Sequence, residues 1–266
     1  MLKKLFRHEF SYHIRLILIS YAVLALYLLI TRLAVEFSGY AISKDLFNVF
    51  TVSMLPTASL VGGAVLLFAT VCILPLILGG VRFYRNLVSD EGYLTFTLPV
   101  TVSSHVFVKT MVPILYTLLS VFVSILLAGA TIFIGNDLLP SFVGVITNLL
   151  SELSVGGQVY LWITLILLAL STLILAVISI NFSIAVGQNF KKYRLGAAVL
   201  AYYITNSVLS FIKTMTTNTY YLFLDSSATE LSVIHGLAFQ VLLSVLILVP
   251  MYLYINHTFN KHLNLQ

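Results

Sequence analysis

The residues of this chain that could do chemistry are concentrated in one polar stretch between two long apolar runs. Residues 82–105 read RFYRNLVSDEGYLTFTLPVTVSSH and bring charged, hydroxyl and imidazole groups into close succession. Ser89 is a favourable helix N-cap, and Asp90 and Glu91 would stabilise the positive end of a helix in its first turn. Proline cannot continue a helix, so Pro99 predicts where this helix stops. The stretch therefore predicts a short helix.

This short helix would carry apolar side chains on two sides. Tyr93, Phe96 and Val100 share one face, and Leu94 and Leu98 share another. A helix of roughly ten residues is marginal in water by itself, so it must pack against something. We expect one side to meet the rest of the protein and the other side to be available to a partner.

The composition assigns the rest of the chain to a membrane. Of 266 residues, 60% are hydrophobic and only 9% are charged, whereas about 25% of a soluble domain is charged. Continuous Leu, Ile and Val runs favour helices over the alternating strands of a barrel. The expected fold class is all-α, with six transmembrane helices in one domain over residues 16–256. The predicted spans are Leu16–Val35, Ala58–Val81, Val106–Ile134, Trp162–Val186, Leu195–Ile212 and Val233–Tyr254.

The basic residues predict the orientation of these spans. All but three of the 14 Lys and Arg residues fall on the same side as the N-terminus, and such residues concentrate in cytoplasmic loops. Both termini are therefore expected in the cytoplasm, with the chain in the cell membrane and residues 257–266 as a cytoplasmic tail. Residues 1–15, MLKKLFRHEFSYHIR, predict an amphipathic interfacial helix whose basic side attracts anionic lipid. A role only as a topology anchor and a role in contacting a partner are equal alternatives for this helix.

The polar stretch resembles one known family. DEGYLTFTLPV, preceded by RFYRNL and followed by a polar turn and a new span, is similar to the small permease subunits of type-2 ATP-binding-cassette (ABC) transporters of Gram-positive bacteria. The six spans and the amphipathic start agree with this resemblance over essentially the whole chain. It implies an exporter of an amphipathic or hydrophobic substrate, such as a peptide, lipid or drug. It also implies two partners: a cytoplasmic ABC ATPase and a second permease subunit, identical or different.

The resemblance also implies which residues contact the ATPase. The short helix within the coupling loop, residues 82–105, would be the coupling helix, and its ATPase-coupling interface would comprise Asp90, Glu91, Gly92, Tyr93, Leu94, Thr95, Phe96, Thr97 and Leu98. A second cytoplasmic contact is expected at Lys191, Lys192 and Arg194. The sequence identifies no substrate-binding residue. A loop that only helps to pack the helices is the alternative interpretation.

Enzymatic activity is not expected in the chain itself. No Gly is followed by Lys, so the phosphate-binding motif GxxxxGK[ST] is missing. LSVGGQ, residues 153–158, is similar to the LSGGQ signature of cassette ATPases, but a valine interrupts it and it lies in a predicted exterior loop. HExxH and GxSxG do not occur either. We expect no directly bound cofactor or metal, and we expect ATP and magnesium in the partner ATPase.

An ion-coupled secondary transporter is the alternative function, and a non-transporting membrane scaffold is the third. Ion-coupled carriers often hold an ionisable residue near the membrane centre. No acid lies deep in a predicted span, which favours an external ATPase as the source of energy. The polar residues within the spans, including Asn181, Asn206 and Gln240, are predicted to form hydrogen bonds between helices.

Overall fold

The computed structural model of the chain describes residues 2–42, 54–89, 92, 100–134, 155–190, 192–223 and 230–261. These residues contain six helices that are long and apolar enough to cross a membrane. The prediction of an all-helical protein with six candidate transmembrane helices is therefore confirmed. The helices are α1 (Leu2–Ile42), α2 (Met54–Leu87), α3 (Val102–Ile134), α4 (Val155–Gly187), α5 (Arg194–Phe223) and α6 (Glu230–Lys261).

Helix α5 shows why the helices extend beyond the predicted spans. It contains 30 residues and is about 45 Å long at 1.5 Å per residue, whereas the predicted span ends at Ile212. Beyond that point, the hydroxyl of Thr216 donates to the carbonyl of Ile212 at 2.6 Å, and the hydroxyl of Thr217 donates to the carbonyl of Lys213 at 2.7 Å. The helix thus continues where the apolar run stops, and these polar side chains are satisfied by carbonyls of their own helix.

The N-terminal residues belong to α1 itself. Residues 2–15 form its first turns, and the helix continues without a break into the first span. The exposed residues of this segment include Lys3, Lys4, Arg7, His8 and Ser11. Ile14 is also exposed, however, whereas Glu9 and His13 are buried. An acid and a histidine thus occupy the buried side, where the sequence led us to expect apolar residues.

The chain divides into two compact units. The first comprises Met1–Glu9, Leu78–Ile114 and Thr147–Gln266, and the second comprises Phe10–Ile77 and Leu115–Ile146. In the first unit, α4 packs against both α5 and α6, and the apolar core includes Phe83, Leu87, Val106, Ile178, Ile255 and Phe259. In the second unit, the ring of Phe10 stacks on the ring of Tyr116 with a centroid distance of 4.5 Å. The first unit contains the ends of the helices that flank the predicted coupling helix.

Two glycines allow α2 to approach its neighbours in the first unit. A Cβ atom at Gly79 would lie 2.3 Å from Cγ of Pro113 in α3, and one at Gly80 would lie 2.7 Å from Cγ2 of Ile180 in α4. Both distances are shorter than van der Waals contact. Small residues at such positions allow helices to pack closely in a membrane, and here they allow α2 to approach α3 at Gly79 and α4 at Gly80.

Candidate functional site

The candidate site is a buried ion cluster formed by Glu9, Arg82 and Lys109. Glu9 lies near the start of α1, Arg82 lies near the end of α2, and Lys109 lies in the second turn of α3. Nζ of Lys109 donates to Oε1 of Glu9 at 2.8 Å. Nε of Arg82 contacts the other oxygen, Oε2, of the same carboxylate. One carboxylate therefore joins three helices in the first unit.

The cluster is almost completely removed from solvent. The exposed fractions of the side chains are 6% for Glu9, 11% for Arg82 and 3% for Lys109. Burying a charge is costly unless an opposite charge and hydrogen bonds compensate for its lost hydration. Glu9 supplies the negative charge for both cations, so removal of this one residue would leave two buried positive charges together. The stability of the cluster therefore depends on the Glu9 carboxylate.

Polar contacts extend this cluster along α3 to α4. His105 is completely buried one turn before Lys109 on the same side of α3. The next residue after Lys109 is Thr110, whose hydroxyl accepts a hydrogen bond from Nδ2 of Asn181 in α4 at 3.1 Å. The same hydroxyl donates to the carbonyl of Val106 at 2.8 Å. The prediction that Asn181 bonds a neighbouring helix is confirmed. The first turns of α3 therefore connect α1, α2 and α4.

The C-terminal end of α6 joins the same region. Nδ2 of Asn260 donates to the hydroxyl of Ser103 in α3 at 3.3 Å. The rings of Phe83 in α2 and Phe259 in α6 meet edge to face with a centroid distance of 5.5 Å. The contacts described for the first unit thus connect α3 with α1, α2, α4 and α6 near the ion cluster's position along the chain.

The two other predicted interhelical residues have different outcomes. Nε2 of Gln240 in α6 donates to the hydroxyl of Thr217 in α5 at 3.2 Å, which confirms that prediction. Asn206 instead donates to the carbonyl of Tyr202 in its own helix at 2.9 Å. This amide group donates to the preceding turn of α5 and not to another helix, so the predicted interhelical hydrogen bond of Asn206 is wrong.

The backbone on either side of the predicted coupling helix is fixed by local hydrogen bonds. The hydroxyl of Ser89 donates to the carbonyl of Arg85, at the end of α2. On the other side, the carbonyl of Thr101 accepts hydrogen bonds from the N–H groups of Ser104 at 3.0 Å and His105 at 3.3 Å, as expected of a residue that begins α3. Residues 82–87 and 102–105 of the predicted loop are therefore helical.

Of the predicted ATPase-coupling residues, the structure describes Gly92 alone. Gly92 is helical and buried, and its N–H donates to the carbonyl of Ser89 at 2.7 Å. A Cβ atom there would lie 3.2 Å from the carbonyl oxygen of Leu87, so a larger residue would be crowded. The other coupling residues, Asp90, Glu91, Tyr93, Leu94, Thr95, Phe96, Thr97 and Leu98, lie outside the described residues.

The predicted second cytoplasmic contact is described in part. Lys192 is exposed in the turn between α4 and α5, and Arg194 is the first residue of α5 and is half-buried. Lys191 lies outside the described residues. The turn is tight, because a Cβ atom at Gly187 would lie 2.7 Å from the carbonyl oxygen of Arg194. These residues follow the end of α4, which lies less than two turns beyond Asn181.

The sequence did not identify the central residue of the cluster. Glu9 is the single acid among the basic residues of MLKKLFRHEFSYHIR. This isolated acid is the sequence feature that could have indicated a specific partner. No protein-family model, curated protein or solved structure matches the chain. Among the described residues, no group of three or more His, Cys, Asp and Glu side chains could hold a metal ion.

Proposed function

We propose that the chain is the membrane-spanning permease subunit of an ABC transporter, with ATP hydrolysis in a separate cytoplasmic ATPase. The resemblance of RFYRNL and DEGYLTFTLPV to type-2 permeases suggests this function, and the six candidate transmembrane helices are compatible with it. The observation that carries the proposal furthest is the shared carboxylate of Glu9. It ties together the two helices that flank the proposed coupling helix, residues 90–98.

The ion cluster gives this coupling helix a mechanical connection. In the proposed mechanism, ATP and magnesium bind to the ATPase, and closure of the ATPase pushes residues 90–98. The chain on either side of these residues leads directly into α2 and α3, which are joined through Arg82, Glu9 and Lys109. Since α1 shares the same carboxylate, a displacement of the coupling helix moves three helices together.

The orientation and the substrate class complete the proposal. The distribution of Lys and Arg residues supports an orientation in which the ion cluster lies at the cytoplasmic side of a cell membrane and both termini lie in the cytoplasm. Two permease subunits would face one another and alternate between inward and outward access. The substrate would be an exported peptide, lipid or drug of amphipathic or hydrophobic character. Exposed Lys192 would give the ATPase a second cationic contact.

The test is purification of the tagged chain from its native membrane, followed by identification of its partners and an ATP-hydrolysis assay. Phe96→Asp should leave membrane abundance unchanged and abolish ATPase association and transport, because a charge would replace an apolar contact. Phe96→Leu is the matched control, since it keeps an apolar side chain and should retain the ATPase. Recovery of the ATPase with Phe96→Asp would show that the coupling assignment is wrong. Solute movement driven by an ion gradient without an ATPase would identify a secondary transporter.

A further inference from the structure

One cation lies on the packed side of α5, within a candidate transmembrane helix. Between residues 209 and 220, the residues of α5 that are not exposed are Leu209, Lys213, Thr216, Thr217 and Tyr220. Residues three and four positions apart share one side of a helix, so these five form a single stripe. Lys213 is half-buried within it. The lysine therefore lies on the side of α5 that packs within the first unit.

Helix α6 packs against this stripe. Nε2 of Gln240 in α6 donates to the hydroxyl of Thr217 at 3.2 Å, and the same hydroxyl donates to the carbonyl of Lys213 at 2.7 Å. One turn further along α6, Ser244 is completely buried, and its hydroxyl donates to the carbonyl of Gln240 at 2.8 Å. Lys213 thus lies one turn from an interhelical hydrogen bond that is formed by neutral polar side chains.

Lys213 takes part in no ion pair in the part of the chain that the structure describes. Lys109 gives the contrast, because its buried ammonium lies 2.8 Å from a carboxylate oxygen of Glu9. A charge within a transmembrane segment is costly, and such residues mark sites for substrates, ions or counter-charges. Lys213 therefore can accept a negative charge from outside the chain.

The position of Lys213 along α5 indicates the depth of this site. Lys213 follows Arg194, the first residue of the helix, by 19 residues, which is about 28 Å at 1.5 Å per residue. The hydrocarbon core of a bilayer is about 30 Å thick. In the proposed orientation, Arg194 lies at the cytoplasmic boundary, so Lys213 lies close to the exterior boundary. The charged head of an amphipathic molecule in the outer leaflet lies at this depth.

We propose that Lys213 binds the anionic head of an amphipathic molecule, a carboxylate or a phosphate, where α5 meets α6. The ammonium supplies a positive charge and three N–H donors. Ile212 and Met215 lie beside it on α5 and are exposed, so they suit the hydrocarbon part of the same molecule. The inference rests on the proposed function only for the role of this molecule: in the proposed exporter it is the substrate, which is then anionic.

Native mass spectrometry of the purified chain, released from micelles of a neutral detergent, tests this site. The probes are oleate, oleoyl lysophosphatidate and monoolein, which share one acyl chain and carry a carboxylate, a phosphate and no charge. We expect the chain to retain at least one anionic probe about tenfold better than monoolein, as a hydrogen bond to a charged group allows. Comparison of the two anionic probes distinguishes a carboxylate from a phosphate.

Three variants assign the binding to Lys213. Lys213→Gln should abolish the preference for the anionic probe, and Lys213→Arg should keep it because the charge is retained. Lys192→Gln is the matched control, since it removes an exposed cation just before α5, and it should also keep the preference. A preference that is absent from the original chain, or that survives Lys213→Gln, would overturn the inference.

The thermal stability of Lys213→Gln in micelles without a probe gives a second readout. A half-buried charge that lacks a counter-charge opposes folding, so this variant should unfold at a higher temperature than the original chain. A lower unfolding temperature would show that an acid of the chain already pairs with Lys213, and the site would then not be available to a ligand.

The complex with its ATPase tests whether the bound molecule is the substrate. Addition of ATP and magnesium should release the retained anionic probe, whereas a probe that stays bound during hydrolysis would be a resident lipid and would overturn the substrate assignment. The binding measurement itself needs no ATPase. An ATPase that co-purifies with a chain that binds no anion would refute only this inference, and anion binding at Lys213 without an ATPase would refute only the transporter.

Discussion

Replacement of Glu9 by glutamine should destabilise the protein far more than loss of any exposed charge near it. Glutamine keeps the shape and can still accept a hydrogen bond from Lys109, so only the negative charge is lost. At the observed 2.8 Å and an effective dielectric constant of about 20, the attraction between Glu9 and Lys109 is about 6 kcal/mol before the cost of desolvation. Breaking a buried ion pair by removing one partner typically costs about 3–5 kcal/mol.

The free energy of unfolding in mixed detergent micelles measures this effect. We expect Glu9→Gln to lower it by about 3 kcal/mol or more, because Arg82 and Lys109 then lose the negative charge that they share in a buried site. Arg7→Gln, an exposed change two residues earlier in the same helix, is the control and should change it by about 0.5 kcal/mol or less. The double variant Glu9→Gln/Lys109→Gln restores the original net charge of the cluster and should recover part of the loss.

A double-mutant cycle of Glu9→Gln and Lys109→Gln tests whether the two residues interact in a buried ionic network. Residues in one buried ionic network couple by about 0.5–3 kcal/mol, so the loss in the double variant should be smaller than the sum of the two single losses. If the losses of Glu9→Gln and Lys109→Gln simply add, or if Glu9→Gln behaves like Arg7→Gln, the three residues do not form a buried electrostatic unit. The connection proposed between α1, α2 and α3 would then be wrong.

Two further predictions concern helix packing and the second cytoplasmic contact. Gly79→Ala should lower the free energy of unfolding by about 1–3 kcal/mol because its Cβ would overlap a proline of α3, whereas Gly62→Ala, with no atom within 4 Å of its Cβ, should be neutral or stabilising in the same assay. Changing Lys191 and Lys192 together to glutamine should weaken co-purification of the ATPase without changing topology, as measured by accessibility labelling of the termini; unchanged co-purification would exclude this contact.

The amino-acid pattern was sufficient to predict the helices but not to predict where they end. Backbone groups in lipid must be satisfied within their own segment, so each long apolar run had to be a helix. Hydropathy falls after Ile212, and the predicted span stopped there, yet α5 continues to Phe223. Thr216 and Thr217 satisfy their hydroxyls by bonding to carbonyls of the preceding turn, and an average over side-chain polarity does not detect such bonds.

The sequence by itself determined that this is a protein of six apolar helices with one polar stretch between the second and third. The composition and the length of the apolar runs decide those features, because whether a segment forms an apolar helix depends on residues that are neighbours along the chain. Only the tertiary structure showed that Glu9 meets Lys109, which is 100 residues away along the chain, and that Ser207 of α5 is exposed while Asn181 is buried against α3. Helical periodicity indicates which residues share a face, but packing alone decides what each face contacts.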